Sequence, residues 1–193
     1  MRPDPSPPPP LVPARVHEAT GPGAVAFALM QAARQTGPVA WIAPAHEATG
    51  LLPAGMARIV SPARIMLVRA PSETDLLWSV EEVLRSGAVG MVIASPSKPL
   101  SLTAGRRLQL AAEAGRTLGL LLIREGAGSN AVETRWHCAP IWDERISTLQ
   151  EWSLIRNKKG TSGTWAVHWH DTSRSVRVVS TAGERTLVAD PAH

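Results

Sequence analysis

A glycine turn between a short strand and an apolar helix is the first place where this sequence could do chemistry. Residues 16–37 read VHEATGPGAVAFALMQAARQTG. A phosphate loop has this outline: glycines cradle phosphates with backbone N–H groups, and a following Lys and Ser/Thr hold phosphate and magnesium. Here Gly21-Pro22-Gly23-Ala24 fills the place of Gly-Lys-Thr-Thr. Pro22 supplies neither a cation nor an N–H donor. The chain has three lysines, Lys98, Lys158 and Lys159, and none follows a glycine at the start of a helix. A nucleotide-binding fold built on this turn is expected not to hydrolyse nucleotide.

The other reactive types are sparse. His168 and His170 share one strand face and could offer two metal ligands, with His137 or Cys138 as further donors, but no close ligand spacing supports a zinc site, and surface histidines explain them better. Cys138 has no base marked beside it, and no Gly-x-Ser-x-Gly elbow exists. No metal and no cofactor are expected.

These residues need a scaffold, and 193 residues suffice for one domain with a sizeable core. At 44% hydrophobic and 19% charged the chain reads as globular. A net charge of +4 permits nucleic-acid binding without establishing it. A single cysteine excludes an internal disulfide and fits a reducing cytoplasm. No apolar run has the length of a membrane span, and the N-terminal MRPDPSPPPPLVPAR lacks a signal peptide's apolar segment. Residues 1–14 read as a flexible proline-rich arm, 15–180 as one domain and 181–193 as a flexible tail.

Helical spacing of apolar residues predicts helices over Ala24–Gln35, from the Ser72-Glu73-Thr74-Asp75 capping box to Ser86-Gly87, and over Leu102–Thr117. Val39–Ala43, Ile65–Arg69, Gly90–Ala94 and Leu118–Ile123 read as buried strands, apolar without alternation, as in a parallel sheet between helices. From about Glu133 the segments alternate instead: Thr134–Cys138, Trp152–Arg156, Thr164–His168 and Ser175–Val179. The turn Asn157–Gly163 makes Trp152–Trp169 a hairpin. The fold class is therefore α/β, a mostly parallel central sheet flanked by helices and extended by C-terminal antiparallel hairpins.

In that order, Arg15 to Val179 resembles the ATPase core of RecA-like recombinases. Leu84-Arg85-Ser86-Gly87-Ala88-Val89-Gly90-Met91-Val92-Ile93 looks like the helix end and strand that lead to the Walker B position. Within the superfamily the chain resembles the ImuA family. The residues that carry this are Thr134-Arg135-Trp136, Trp152-Ser153-Leu154-Ile155-Arg156-Asn157-Lys158-Lys159-Gly160 and Gly163-Thr164-Trp165-Ala166-Val167-His168-Trp169. The resemblance implies a RecA-like core. At the ATPase positions stand Pro22 for the lysine, Ala45 for the catalytic glutamate (with Glu47 two residues away) and Ser95 for the Walker B aspartate; Arg124 and Glu125 follow the fourth strand, where a nucleotide-sensing glutamine would be. A pseudo-ATPase is implied.

The family implies an adaptor in damage-induced translesion synthesis. It would be cytoplasmic and nucleoid-associated, bind an ImuB-like Y-family polymerase relative, with RecA and DNA as further partners, and have no membrane role. The rival is a SulA-like inhibitor of FtsZ polymerisation. Candidate contact residues are Trp152, Arg156, Asn157, Lys158, Lys159, Trp165, Trp169, Arg174 and Arg177. For the tryptophans, alternation favours core packing over base stacking. For the lysines at the hairpin tip, solubility and edge protection explain the charge better than phosphate contact. Arg15, Arg106 and Arg107 read as solvated. Without a helix and strand ahead of the core, a RecA-type filament is not expected.

Overall fold

The computed structural model describes residues 6–47 and 51–179. One nine-stranded sheet organises them, in the order β3-β2-β4-β5-β1-β6-β7-β8-β9. The strands are β1 (Val16–Thr20), β2 (Val39–Pro44), β3 (Ile65–Ala70), β4 (Met91–Ala94), β5 (Leu118–Leu122), β6 (Thr134–Pro140), β7 (Gln150–Asn157), β8 (Gly163–His170) and β9 (Ser175–Val178). From β3 through β6 all pairings are parallel; β7, β8 and β9 continue antiparallel. The mixed α/β sheet agrees with a RecA-like core.

Helix positions explain the two kinds of strand. On one face lies α1 (Ala24–Ala33); on the other lie α3 (Glu73–Ser86) and α4 (Leu102–Gly115). The four-residue α2 (Pro53–Met56) follows β2. Strands β1, β2 and β4 are buried on both faces, and β5 nearly so; β2, β4 and β5 are accordingly apolar without alternation, whereas β1 carries His17, Glu18 and Thr20 inside. Strands β6 and β7 are covered on the α1 face only, and burial alternates along them. Helix α3 begins as its capping box predicts: Ser72 Oγ accepts the Asp75 N–H at 3.2 Å. It ends at Gly87, whose φ of 66° is the left-handed cap.

One expectation needs correction. Strand β3 is not buried. It is the edge strand, with Met66 and Leu67 each about half exposed (48% and 49%). An apolar run looks the same at the centre of a sheet and at its rim, because nothing in the run states how many neighbours it will have. In the arm, Pro8 and Leu11 are buried while Pro7, Pro9, Pro10 and Pro13 are exposed, and the Val12 carbonyl accepts a hydrogen bond from His17 Nε2 at 3.0 Å. The apolar side chain of Leu11 gives the prolines an anchor in the α1 cluster. Residues 1–5 and the tail 181–193 lie outside the described residues.

The hairpins close the α1 layer. Trp169 Nε1 donates to the Arg58 carbonyl (3.1 Å), and Arg174 donates to the Ile59 carbonyl (2.9 Å). The Arg58 guanidinium meets Asp171 at 2.6 Å. The β8–β9 turn is thereby tied to the segment after α2. Arg64 caps the C-terminal end of α1, donating to the carbonyls of Gln35 (2.5 Å) and Gly37 (2.9 Å).

Candidate functional site

The C-terminal ends of β1, β2, β4 and β5 meet at a pocket of about 290 Å³. Ligand sites of open α/β sheets form at this end of the strands. Its floor is mostly apolar, with Trp41, Ala43, Leu122 and Val25, and Gly21 and Ser95 line it too. Its volume sits at the low end of the roughly 300–1,000 Å³ of ligand pockets. Glu47 and Arg124 supply its charge, 3.9 Å apart.

The glycine turn behaves unlike a phosphate cradle. Three residues, Gly21 to Gly23, join β1 directly to α1. Gly23 spends its N–H on the Cys138 carbonyl of β6, at 2.8 Å, and the Ala24 N–H bonds back to Gly21 at 3.1 Å. Gly21 has φ 88°, and a Cβ there would stand 2.5 Å from the same Cys138 carbonyl. The glycines thus allow the turn to lie flat against β6. Two N–H groups that a phosphate would need are already donated within the protein.

The positions set against catalytic residues have their own places. Pro22 is exposed on the turn. Ala45 is tied to the edge strand, its N–H to Ala70 (2.7 Å) and its carbonyl to Arg69 (2.6 Å). Ser95 lies beside the pocket with its N–H bonded to Ile42 (3.0 Å). Glu47 reaches the pocket where Ala45 does not. Glu125 turns to His137, 3.4 Å away.

The hairpin candidates divide sharply. Trp152, Trp165 and Trp169 are buried. Phe27 of α1 meets Trp152 edge-on at 4.7 Å and Trp136 at 5.6 Å, and Trp136 reaches Trp165 at 5.7 Å. These rings are core, as alternation predicts, and present no face on which a base could stack. Arg156 donates to the Asn130 carbonyl at 3.2 Å. Asn157 shapes its own turn through Thr161 and Lys159. Lys158 faces Glu133 at 3.7 Å. Lys159 and Arg177 are exposed. The lysines and Arg174 sit at opposite ends of β8, whose eight residues span about 25 Å at roughly 3.3 Å each. No single basic patch unites them.

His168 and His170 lie with ring centres 6.3 Å apart; His170 Nδ1 pairs with Ser173 at 2.8 Å. Among the described residues no three His, Cys, Asp or Glu side chains come together to hold a metal ion. Cys138 is buried, and burial pushes its thiol well above the ordinary range, away from the thiolate a nucleophile needs.

The Thr134-Arg135-Trp136 motif does structural work that its spacing conceals. Arg135 Nε donates to the fully buried Glu18 at 2.7 Å, and its NH2 donates to the Ser129 carbonyl at 2.9 Å. The other Glu18 oxygen accepts the Ser129 N–H at 2.9 Å. Glu18 and Arg135 are register neighbours across β1 and β6. On the opposite face, Trp136 Nε1 donates to Thr134 Oγ1 (2.9 Å), which lies 2.6 Å from His17 Nδ1. With the His17 Nε2 proton on Val12, one neutral tautomer satisfies the chain. A carboxylate inside VHEAT was the available sequence signal, but its partner lies 117 residues away.

Burial lowers the His17 pKa from 6.5 to about 4, against the opposing pull of the Val12 bond. The unfolded chain therefore takes up a proton that the folded one refuses between those two values. Stability is full above pH 6.5 and falls as pH drops to about 4, by about 3 kcal/mol in all. Urea melts at pH 7.5, 5.5 and 4.5 should show this loss, and His17→Gln should flatten that part of the curve. Equal slopes for both proteins would contradict the assignment.

No protein-family model matches the chain. Protein ImuA of Caulobacter vibrioides is 35% identical over 120 residues, in strain NA1000 / CB15N and in strain ATCC 19089 / CIP 103742 / CB 15 alike. The match takes in 55% of this chain and 47% of each relative. The chain spans about half the length of the curated relatives it matches.

Proposed function

We infer that this chain belongs to the ImuA family, and that it is a non-catalytic adaptor of damage-induced mutagenesis which binds an ImuB-like, polymerase-related partner. The observation that carries the non-catalytic part is the glycine turn. Its Gly23 N–H is committed to Cys138, and no lysine lines the pocket beside it. A transferring phosphoryl group needs preorganised cations and N–H donors in place. Pro22, Ala45 and Ser95 supply none from their side chains. The 35% identity to Protein ImuA supports the cassette reading; action at damaged DNA in the nucleoid is part of the proposal.

Among the described residues no helix is long and apolar enough to cross a membrane. The burial of Trp152, Trp165 and Trp169 moves the search for partner contacts to exposed groups. On the hairpin side these include Ile155, Lys159 and Arg177; elsewhere Trp142 and Trp78 stand out.

The test is co-purification of the tagged chain with the ImuB-like protein encoded in the same genome. A stoichiometric complex that survives 0.5 M salt (roughly a 5 Å screening length) is expected. Absence of any complex at micromolar concentration, with filamentous growth on expression, would overturn the reading in favour of a SulA-like division inhibitor.

A further inference from the structure

The two rims of the sheet are treated very differently. Strand β9 is short, four residues, and carries the exposed Arg177; Pro7 and Pro8 of the arm lie beside its Val176 and Val178. Short length, charge and nearby prolines are the usual protections of a sheet edge. Strand β3 is less protected: prolines flank it, at Pro62 and Pro71, but none lies within it, and it carries one charge. It is six residues long, regular in register with β2 throughout, and holds no proline or lysine. Its one charged side chain, Arg69, is drawn to the Ala45 carbonyl at 2.6 Å. Among the described residues no strand lies beyond it.

We propose that the β3 edge is a self-pairing surface, joining two copies of this chain in a two-fold symmetric dimer through antiparallel β3–β3 contact. The strand's hydrogen-bonding parity fixes the register. The Ala70 carbonyl accepts from Ala45 and so points towards β2. Along a regular strand the groups of Val68 and Met66 point the same way, and those of Leu67, Arg69 and Ile65 point outwards. A two-fold axis perpendicular to the sheet at Leu67 sets Leu67 opposite its own copy. Each Leu67 then exchanges N–H and C=O bonds with the other. Each Arg69 N–H reaches the opposing Ile65 carbonyl. The Ile65 N–H is not required, since it already bonds Pro62 within the 3-10 turn that precedes the strand.

The side chains agree with this register. In an antiparallel pair, residues directly opposite share a face. Leu67 meets Leu67 on one face, and Met66 meets Val68 on the other. Met66 and Leu67 are half-exposed at the edge, and Val68 is partly buried against the α3–α4 layer. The arginines fall opposite Ile65, not opposite each other, so no like charges are juxtaposed. An isologous contact of this kind closes at two copies and builds no filament. The proposal goes beyond the adaptor reading and holds whichever partner that reading names.

Sedimentation equilibrium of the full chain tests it. The wild type is expected at twice the 20.6 kDa chain mass at tens of micromolar. Leu67→Lys and Leu67→Glu each set like charges opposite one another at the axis. Each should sediment as a monomer with an unchanged far-UV spectrum, dimerising at least about tenfold more weakly. An equimolar mixture of the two should regain the dimer, because opposite charges then face each other. Arg177→Glu, on the other rim, should leave the wild-type dimer intact. A monomeric wild type, a dimeric Leu67→Lys, a mixture that stays monomeric, or dissociation by Arg177→Glu would each overturn the proposal.

Discussion

Arg135→Ala is expected to cost about 3 to 5 kcal/mol of folding stability, the range for removing one partner of a buried ion pair. Glu18 has no measurable exposure, and Arg135 donates to it at 2.7 Å. Without the guanidinium the carboxylate keeps the Ser129 N–H and loses its charged partner. The Ser129 carbonyl loses a donor in the same step. Gly128 packs so closely on the Arg135 guanidinium that a Cβ there would overlap it, which shows how little room the loop has to adjust. Domains of this size are stable by roughly 5 to 15 kcal/mol, so the variant should approach the unfolding threshold. Urea denaturation of wild type, Arg135→Ala and the double variant Glu18→Leu/Arg135→Met decides the matter. The double variant should recover part of the loss, because an apolar pair needs no charge compensation although the Ser129 N–H and carbonyl lose their side-chain partners. A cost below about 1 kcal/mol for Arg135→Ala would mean that water reaches Glu18 and the pair is not a buried one.

The same pair marks how far the sequence could be read. Strands β2, β4 and β5 were legible because coverage on both faces imposes an unbroken apolar run, and that run is a local property. The alternation of β6 and β7 was legible for the complementary reason. What failed was everything set by a distant neighbour. Ile65–Ala70 carries the composition of a central strand but has a neighbour on one side only, and composition records no neighbour count. Glu18 went unnoticed in VHEAT, because that Arg135 sits directly opposite depends on the β1–β6 pairing. The Trp- and Arg-bearing signature was legible as a pattern, but pattern alone does not separate a contact surface from the packing that shapes it. Trp152, Trp165 and Arg135 turned inwards, while Trp78 and Trp142, outside the signature, stand exposed. The candidate surface was thus the least legible part, because exposure is a property of the assembled sheet.

Gly21→Ala separates two explanations of the glycine turn. If the glycines are retained for a ligand's phosphates, the substitution should reduce ligand binding and leave the unliganded protein's stability nearly unchanged. If they are needed for packing, it should destabilise the unliganded protein itself. The geometry favours packing. Gly21 holds φ 88°, a region costing an alanine about 1 to 2 kcal/mol, and the added Cβ would press to 2.5 Å from the Cys138 carbonyl. Relief requires the turn to lift from β6, which stretches the 2.8 Å bond from Gly23 to that same carbonyl. Overpacking of this order adds about 1 to 3 kcal/mol, so a total near 3 kcal/mol is expected. Thermal melts of wild type and Gly21→Ala, each with and without millimolar ATP and magnesium, read both explanations together. The variant should melt several degrees lower, about 2 to 4 °C for each kcal/mol at this chain length. Nucleotide should shift neither curve, since a ligand that binds the folded state must raise its melting point. A wild type stabilised by ATP would reinstate the turn as a nucleotide site. An undiminished melting temperature for Gly21→Ala would show that β6 does not hold the turn where its hydrogen bonds place it.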